Sequence, residues 1–250
     1  MYRFFAPEEN LGNREICLTG DDVNHIKNVL RKQIGENIEI CDKDTKKSYI
    51  CEIEKIEEKS ILTKIIEELQ SNDNKIEVDI YQGLPKADKM ELIIQKSVEL
   101  GVNAIIPVEM KRCVVKIATK DEMKKITRWQ KIAESAAKQS GRDTIPEIKN
   151  IVNVEKIAQL INKYDSVLVA YENEKENTIK QELLKLKQYK KPEQKIKIGV
   201  VIGPEGGLEE KDVELLKQKG AKIVTLGNRI LRTETVALNI LSVITYELEQ

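Results

Sequence analysis

The chain has 250 residues, of which 40% are hydrophobic and 34% charged, and 42 Lys and Arg balance 42 Asp and Glu. This composition is typical of a globular protein and excludes an intrinsically disordered chain. No apolar run approaches the roughly 20 residues that a membrane-spanning helix needs. Acids directly follow the short apolar patch of MYRFFAPEEN, which therefore does not resemble a signal peptide. The sequence predicts a cytoplasmic protein without a membrane segment.

Cysteine and histidine usage argues against metal and thiol chemistry. Cys17, Cys41, Cys51 and Cys113 lack the CxxC spacing, and His25 is the sole histidine. A zinc site, a disulfide framework and most Ser-His-Asp or Cys-His mechanisms are therefore not expected. Any chemistry should come from arginine, lysine, acids, backbone groups or a bound cofactor, with no metal.

The first 70 residues are rich in strand signals. NIEIC and SYICEIEKI alternate apolar and polar residues, and SILTKIIEEL is rich in β-branched residues. DDVNHIKNVLRKQIG predicts one short helix, with Asp21 or Asp22 as its cap and Gly35 after its end. This pattern indicates a small, barrel-like β domain, and the polar QSNDNK at 70–75 predicts a linker.

From Ile76 onwards, short β-rich runs alternate with helical stretches. The runs are IEVDIYQGL, NAIIPVE, SVLVAY, IKIGVVIG and AKIVTLG, and the predicted helices are 86–100, 121–140, 175–188, 208–219 and 233–248. Such alternation favours a parallel sheet flanked by helices. IKIGVVIG is apolar almost throughout, as expected of a central strand.

Three strand ends carry unusual turns, VLVAYENE at 167–174, VVIGPEGGL at 200–208 and VTLGNRILRTET at 224–235. Ligands of open α/β sheets bind beyond the carboxyl ends of the strands, so these turns define a candidate site. The glycines of IGPEGG allow positive φ and close approach of a ligand. Neither a Walker loop nor the GxGxxG fingerprint is present.

Arg229 and Arg232 precede the last helix, although a helix N-terminus disfavours cations. Thr233 can cap this helix, and Glu234 suits its first turn. The arginines either pair with acids such as Glu205 and Glu234, or they bind an external anion. A guanidinium group matches phosphate or carboxylate well, and the ligand interpretation is favoured.

The middle of the chain is basic. Residues 86–142 contain 13 Lys and Arg against 7 Asp and Glu, whereas residues 1–70 contain 11 against 15. At 100° per residue, one stripe of a helix carries Arg128, Lys131, Ser135, Lys138 and Arg142. Lys89 and Lys96 likewise share one side of the helix at 86–100. These side chains either track an RNA backbone or snorkel beside a buried face.

Several segments together resemble the RsmE family, the SPOUT-class methyltransferases that modify N3 of a uridine in 16S ribosomal RNA. They are IGPEGG, LGNRILRTETVAL, KADKMELIIQKSVELGV and AAKQSGR, with RFF and HIKNVLR near the start. The resemblance implies an α/β fold: a small β-barrel, PUA-like RNA-binding domain at 1–72 and a SPOUT-type methyltransferase domain at 73–250. The latter has a mostly parallel sheet and a C-terminal trefoil knot, which pattern reasoning alone would reject.

The resemblance also implies that the three turns bind S-adenosylmethionine. Its adenine and ribose would be contacted by backbone groups of Ala170, Ile202, Gly203, Leu226 and Leu231. The full candidate set is Ala170, Tyr171, Glu172, Ile202, Gly203, Pro204, Glu205, Gly206, Gly207, Leu226, Gly227, Ile230, Leu231 and Thr233. The candidate catalytic residues are Arg232, Arg229 and Glu234. Arg232 would stabilise the uridinate as an oxyanion hole does, and Arg229 would contact a phosphate or the base. Glu234 or Glu205 would either accept the N3 proton or hold the arginines.

The expected partner is 16S ribosomal RNA in the small subunit, rather than DNA or a membrane. The candidate RNA-binding residues are Arg3, His25, Arg31, Lys32, Lys86, Lys89, Lys96, Arg112, Lys138, Gln139 and Arg142. Arg3 could equally brace its domain, and a lone histidine is more often structural. Family members are homodimers, and the apolar last helix could form the interface or be buried within one protomer. The alternative function is a non-catalytic RNA-binding or ribosome assembly factor on the same scaffold.

Overall fold

The computed structural model describes residues 2–7, 14–70, 76–189 and 195–249, with the side chain of residue 189 excepted. The chain forms two units, one of Met1–Asp73 with Ala137–Ile145 and the other of Asn74–Ala136 with Pro146–Gln250. Of the predicted linker at 70–75, only Gln70 lies within the described residues. Across the described parts of the chain, no helix is both long and apolar enough to cross a membrane.

The first unit is built on one curled sheet of five strands. They are β1 (Arg3–Ala6), β2 (Glu15–Thr19), β3 (Asn37–Asp42), β4 (Ser48–Ile56) and β5 (Ser60–Leu69). Their order is β1-β3-β4-β5-β2, with β1 parallel to β3 and the other pairs antiparallel. Register irregularities in β4 promote twist and bending, and the edge strands β1 and β2 come into contact. The sheet is therefore a half-barrel, which confirms the predicted β-rich first domain.

Alternation along the strands builds the core of this unit. Ile38, Ile40, Ile53 and Ile61 are fully buried and pack with Phe4 in one apolar cluster. Residues between them on the same strands face outward more often, as a pleated strand with one buried face requires.

The helix predicted to end before Gly35 is shorter and consists of two kinds of turn. An α-helical turn, α1 (Asp21–Asn24), continues as a π-helical turn at His25–Val29, in which the N–H of Leu30 donates to the carbonyl of His25. The N-cap is Gly20, without a side-chain cap, so the capping role expected for Asp21 or Asp22 was wrong. Apolar spacing alone does not distinguish a π turn from an α turn, and Arg31 then leaves the helix with φ 53°.

The second unit contains a six-stranded sheet in which every pair is parallel. Its strands are β6 (Ile76–Gly83), β7 (Ala104–Val108), β8 (Glu147–Ile148), β9 (Ser166–Ala170), β10 (Ile196–Ile202) and β11 (Lys222–Val224). The order is β11-β9-β10-β6-β7-β8. β10 is central and almost entirely buried, as predicted. The predicted parallel α/β class is thus confirmed, whereas the trefoil knot stays a prediction.

In the described part of the second unit lie, wholly or in part, six further α-helices. They are α2 (Lys89–Glu99), α3 (Thr119–Ser140), α4 (Val154–Leu160), α5 (Ile179–Tyr189), α6 (Glu210–Gln218) and α7 (Thr233–Leu248). The predicted bounds of α7 agree, but α2 and α5 begin later than expected. The sequence interpretation missed α4, although Asn153 caps it by accepting a hydrogen bond from the N–H of Lys156.

The end of α3 and the turn after it join the first unit. Arg3 donates to the carbonyl of Gly141 at 2.5 Å and to Asp143 at 2.5 Å, and it also pairs with Glu39 at 2.8 Å. Ser48 donates to the same carboxylate of Asp143 at 2.7 Å. The Arg3 and Asp143 side chains are only 7% and 3% exposed, so Arg3 braces this unit from its interior.

Candidate functional site

A cavity of about 480 Å³ opens at the carboxyl ends of β9, β10 and β11. Its volume falls within the roughly 300–1,000 Å³ that small-molecule sites occupy. Every residue assigned to the cofactor from the sequence lines it: Ala170, Tyr171, Glu172, Ile202, Gly203, Pro204, Glu205, Gly206, Gly207, Leu226, Gly227, Ile230, Leu231 and Thr233. Arg229 and Arg232 line it too, as do residues absent from that assignment: Lys89, Lys175, Leu208, Thr225, Asn228 and Val236.

Close backbone packing shapes the turn after β10. A Cβ at Gly203 would lie 3.0 Å from the carbonyl carbon of Gly207, because the turn folds back on itself. A Cβ at Gly83, at the end of β6, would lie 2.7 Å from the backbone nitrogen of Pro204. On the other side of the turn, a Cβ at Gly206 would lie 3.0 Å from the Cβ of Arg112. Backbone packing thus leaves no room for a Cβ at Gly83, whereas a Cβ at Gly203 or Gly206 would force its neighbours to shift by a few tenths of an ångström.

The other two glycines of the site have positive φ. Gly207 has φ +70°, and a Cβ there would lie 2.5 Å from Oε1 of Glu172, a cavity residue. Gly227 has φ +108°, with no atom within 4 Å of an added Cβ. Gly207 therefore makes room for a neighbouring carboxylate, whereas Gly227 serves the backbone conformation of its turn.

A buried hydroxyl joins three segments of the site. Thr233, at the start of α7, donates to the carbonyl of Gly203 at 2.7 Å. The amide nitrogen of Gln82, in β6, donates to the hydroxyl of Thr233 at 2.8 Å and to the carbonyl of Gly83 at 3.0 Å. Gln82 was missed from the sequence, although a polar residue near the end of an apolar buried strand was a usable signal.

The capping role predicted for Thr233 was wrong. The N-cap of α7 is Arg232, with no side-chain cap, and its backbone carbonyl accepts hydrogen bonds from the N–H groups of Thr235 and Val236. The hydroxyl of Thr233 is instead used in the bridge to Gly203. Glu234 does lie in the first turn of α7, as expected for an acid near the positive end of a helix.

The side chains of the two arginines are exposed at the cavity, and neither guanidinium group forms an ion pair or hydrogen bond with a described residue. The acids considered as their partners pair with Lys89, whose Nζ lies 3.0 Å from Oε1 of Glu205 and 3.3 Å from Oε2 of Glu234. The sequence interpretation had placed Lys89 on an RNA-binding track. The structure places it in the cavity wall, where Arg229 and Arg232 face solvent without a protein counter-ion among the described residues.

The ionisation of this cluster is fixed by its contacts. Burial alone would raise the pKa of Glu205, but hydrogen bonds from its own backbone N–H, from Lys89 and from the backbone N–H of Lys86 lower it overall. The hydrogen bond to Glu205 raises the pKa of Lys89 against the effect of burial, and Glu234 adds to this. Both partners are therefore charged at neutral pH.

Other predicted RNA-binding residues of the second unit have varied surroundings. Lys86 is exposed, and its backbone N–H donates to Glu205 at 3.1 Å. Lys96 pairs with Glu99 at 2.9 Å on the same helix. Arg112 donates to the carbonyl of Gly206 at 3.0 Å and so supports the turn after β10.

In the first unit, Arg31 is exposed and Lys32 pairs with Glu36 at 2.7 Å. The ring of His25 packs edge-on against the ring of Phe4, with 6.0 Å between centroids. This packing agrees with the alternative that a lone histidine has a structural role.

The predicted basic stripe does not continue as one helix. Because α3 ends at Ser140 and Gly141 has φ +68°, Arg142 lies beyond the helix and is half-buried. Lys138 pairs with Asp22 at 2.6 Å, whereas Gln139 is exposed. The stripe was therefore wrong at its Arg142 end.

Among the described residues, no group of three or more His, Cys, Asp or Glu is placed to hold a metal ion. Cys41, Cys51 and Cys113 are buried free thiols, and burial raises the pKa of each.

Comparisons with known proteins give consistent matches. A family model described as RNA methyltransferase domain matches residues 72–245, and one described as RNA methyltransferase PUA domain matches residues 18–66. Ribosomal RNA small subunit methyltransferase E of Bacillus subtilis (strain 168) is 39% identical over 236 residues, which cover 93% of this chain and 90% of the relative. The protein of that name from Mesomycoplasma hyopneumoniae (strain 232) is 32% identical, over 97% and 98% of the two chains. The crystal structure of the Neisseria gonorrhoeae protein of that name, bound to S-adenosyl methionine, matches with a TM-score of 0.83 and 31% identity over 98% of this chain and 97% of that chain.

Proposed function

The chain belongs to the ribosomal RNA small subunit methyltransferase E family, and we propose that it transfers a methyl group from S-adenosylmethionine to N3 of a uridine in 16S ribosomal RNA. One observation carries this proposal. Two guanidinium groups without an ion-pair partner among the described residues stand at a cavity formed by the carboxyl-end turns of a parallel sheet.

The residues present fit this cofactor. The carboxylate of Glu172 lies beside the turn after β10, in the space that the absent Cβ of Gly207 leaves. The cavity wall combines apolar side chains, such as Ile202 and Leu231, with backbone groups of the glycine turns, a mixture that suits an adenine ring and a ribose. When bound, S-adenosylmethionine supplies an electrophilic methyl group on a sulfonium.

Arg232 has the chemistry that the acceptor needs. A uridine N3–H is deprotonated only well above neutral pH, and the charge of the uridinate lies largely on O2 and O4. A fixed guanidinium directed at these oxygens stabilises the anion as an oxyanion hole does. Arg232 is suited to this because its backbone is fixed as the N-cap of α7 while its side chain is exposed. Arg229, on the same turn, is proposed to contact a phosphate or the base.

The acids are proposed to act beside these arginines. Glu234 remains the candidate acceptor of the N3 proton. Glu205 is a weaker candidate, because the hydrogen bonds that lower its pKa make its carboxylate a poorer base. Neither acid holds the arginines in the described structure, where both pair with Lys89.

RNA binding is proposed for both units. In the first, exposed Arg31 and half-buried His25 are the strongest candidates, because Arg3 is enclosed by its own ion pairs. In the second, Lys86 and Gln139 offer exposed polar side chains. Phosphate contacts by such residues would make the affinity depend on salt.

The resemblance supports further proposals: a division into domains at 1–72 and 73–250, a C-terminal knot, a cytoplasmic location and a homodimer that acts on the small subunit. The exposed apolar residues Ile230 (89%) and Tyr246 (69%) support the homodimer, since such side chains are suited to an interface. The inner face of α7, with Ala237, Ile240 and Leu241, is buried within the protomer and packs on α2 and α5.

Labelled methyl transfer to naked 16S ribosomal RNA and to small subunits, followed by nucleoside analysis, tests the function. We expect 3-methyluridine, and the better substrate identifies the form of RNA that is recognised. Arg232→Ala should lower kcat by about 10²–10³-fold, the typical effect of losing one oxyanion donor, while calorimetry shows unchanged cofactor affinity.

Lys219→Ala is the matched control, because it removes a cation at the end of α6, outside the cavity. A kcat of Arg232→Ala equal to that of Lys219→Ala would refute the role of this arginine. No transfer by the wild-type chain with bound cofactor would favour a non-catalytic assembly factor.

A further inference from the structure

Lys89 is a cation at an unfavourable place. It is the first residue of α2, where the helix dipole opposes a positive charge. Its side chain is 30% exposed and lies between the carboxylates of Glu205 and Glu234, which are 26% and 15% exposed. These contacts join α2, the turn after β10 and the start of α7. The two acids offset the unfavourable position, but stability alone would not require a lysine at the cavity wall.

The carboxylates have other cations nearby. Glu234 is two residues from Arg232, and Glu205 lines the same cavity as Arg229 and Arg232. Arginine forms stronger, bidentate pairs with carboxylates than lysine does. Nevertheless, both acids pair with Lys89, and neither arginine pairs with a described residue. An arginine neutralised by an internal carboxylate would be a poor ligand for a substrate anion.

Glu205 is held from two directions. Besides the side chain of Lys89, the backbone N–H of Lys86 donates to both of its carboxylate oxygens, at 3.1 Å and 3.3 Å. Residues 86–89 thus supply one backbone donor and one side-chain cation to this carboxylate. Glu234 depends more on Lys89, because its buried Oε2 has no hydrogen-bond partner among the described residues and lies 3.3 Å from Nζ of Lys89.

We infer that Lys89 is a positioning residue, which holds the carboxylates of Glu205 and Glu234 and so keeps Arg232 available for an anionic pyrimidine. The inference rests on the proposed function. It assigns Lys89 to the control of charge in the cavity rather than to the RNA backbone. Without the lysine, Glu234 turns to Arg232 and competes with the substrate.

A chemical test needs no turnover. An arginine-selective dicarbonyl reagent, read by peptide mass mapping, should modify Arg232 readily in the wild type. In Lys89→Met, the rate of Arg232 modification should fall by about tenfold, a typical coupling between neighbouring charges. Lys89→Arg and the double variant Lys89→Met with Glu234→Gln should regain it. Equal Arg232 reactivity in the wild type and Lys89→Met would overturn the inference.

Kinetics give the second test. At saturating RNA and cofactor, Lys89→Met should lower kcat by about tenfold with the KM for cofactor changed less than about threefold, and Lys89→Arg should restore kcat. Lys185→Met is the matched control, because Lys185 pairs with Glu182 at 2.7 Å on α5. An unchanged kcat in Lys89→Met overturns the inference alone. An inactive wild type refutes the proposed function, and the modification pattern still decides whether Lys89 holds the acids.

Discussion

Replacing Gly207 with alanine should damage the cofactor site more than the fold. Gly207 has φ +70°, and Gly220, in the turn after α6, has φ +104°. Alanine in this backbone region costs roughly 1–2 kcal/mol at either position. For a chain of this size, the melting temperature should fall by about 2–8 °C in both variants. Gly220→Ala is thus a control for the strain of placing alanine at a position with positive φ.

The variants differ in what the new methyl group meets. No atom lies within 4 Å of a Cβ at position 220, whereas at position 207 Oε1 of Glu172 lies 2.5 Å away. The flexible side chain of Glu172 can retreat by the roughly 1 Å needed for an ordinary contact, so little extra stability is lost. A misplacement of about 1 Å in a reacting site can, however, reduce the rate by about 10²-fold.

Three measurements on each variant test this reasoning: thermal unfolding, calorimetric titration with S-adenosylmethionine, and the rate of methyl transfer. Gly207→Ala should lose cofactor affinity and up to about 10²-fold in kcat/KM, and Gly220→Ala should keep both. If Gly207→Ala matches Gly220→Ala in affinity and rate, the position of Glu172 does not matter, and its assignment to the cofactor is wrong.

Three further predictions concern single contacts. Thr233→Val removes the hydroxyl bridge to Gly203, so its free energy of unfolding in urea should fall by about 1–3 kcal/mol. Thr233→Ser keeps the hydroxyl and should lose much less, and equal free energies of unfolding in the two variants would contradict the bridge. The pKa of Glu205 is lower than its ordinary value of 4.5. Its ionised carboxylate therefore stabilises the fold at pH values above 4.5, and this stabilisation is lost as the pH falls through the lowered pKa. The stability difference between wild type and Glu205→Gln should therefore be largest near neutral pH and vanish in strong acid, and its persistence there would argue against the ion pair. Lys131→Ala should reduce the slope of log affinity for RNA against log salt by about one, and an unchanged slope would indicate that this exposed lysine only covers its helix.

Strand patterning and turns could be predicted from the sequence because they depend on local chemistry. β4 and β5 occupy the residues quoted for them, since the period-two alternation and β-branched composition are unambiguous. The turns after β9, β10 and β11 meet at one cavity because parallel strands have their carboxyl ends at the same edge.

Side-chain pairing could not be predicted in this way. Lys89 appeared to belong to a basic helix face, and its position between Glu205 and Glu234 depends on three segments distant in sequence. Gln82 and Arg3 illustrate the same point, since their partners lie 151 and 140 residues away. Charge counts along the chain contain no information on such contacts.

Because Gly141 and Asp143 complete the interior around Arg3, the β-rich half of this protein is discontinuous along the chain. A fragment cut at residue 72 would keep every strand of that unit and the pair of Arg3 with Glu39, but it would lose the Gly141 and Asp143 acceptors of the same guanidinium group. Excision of this half for separate RNA-binding work would therefore need the nine residues 137–145 grafted back or supplied as a peptide.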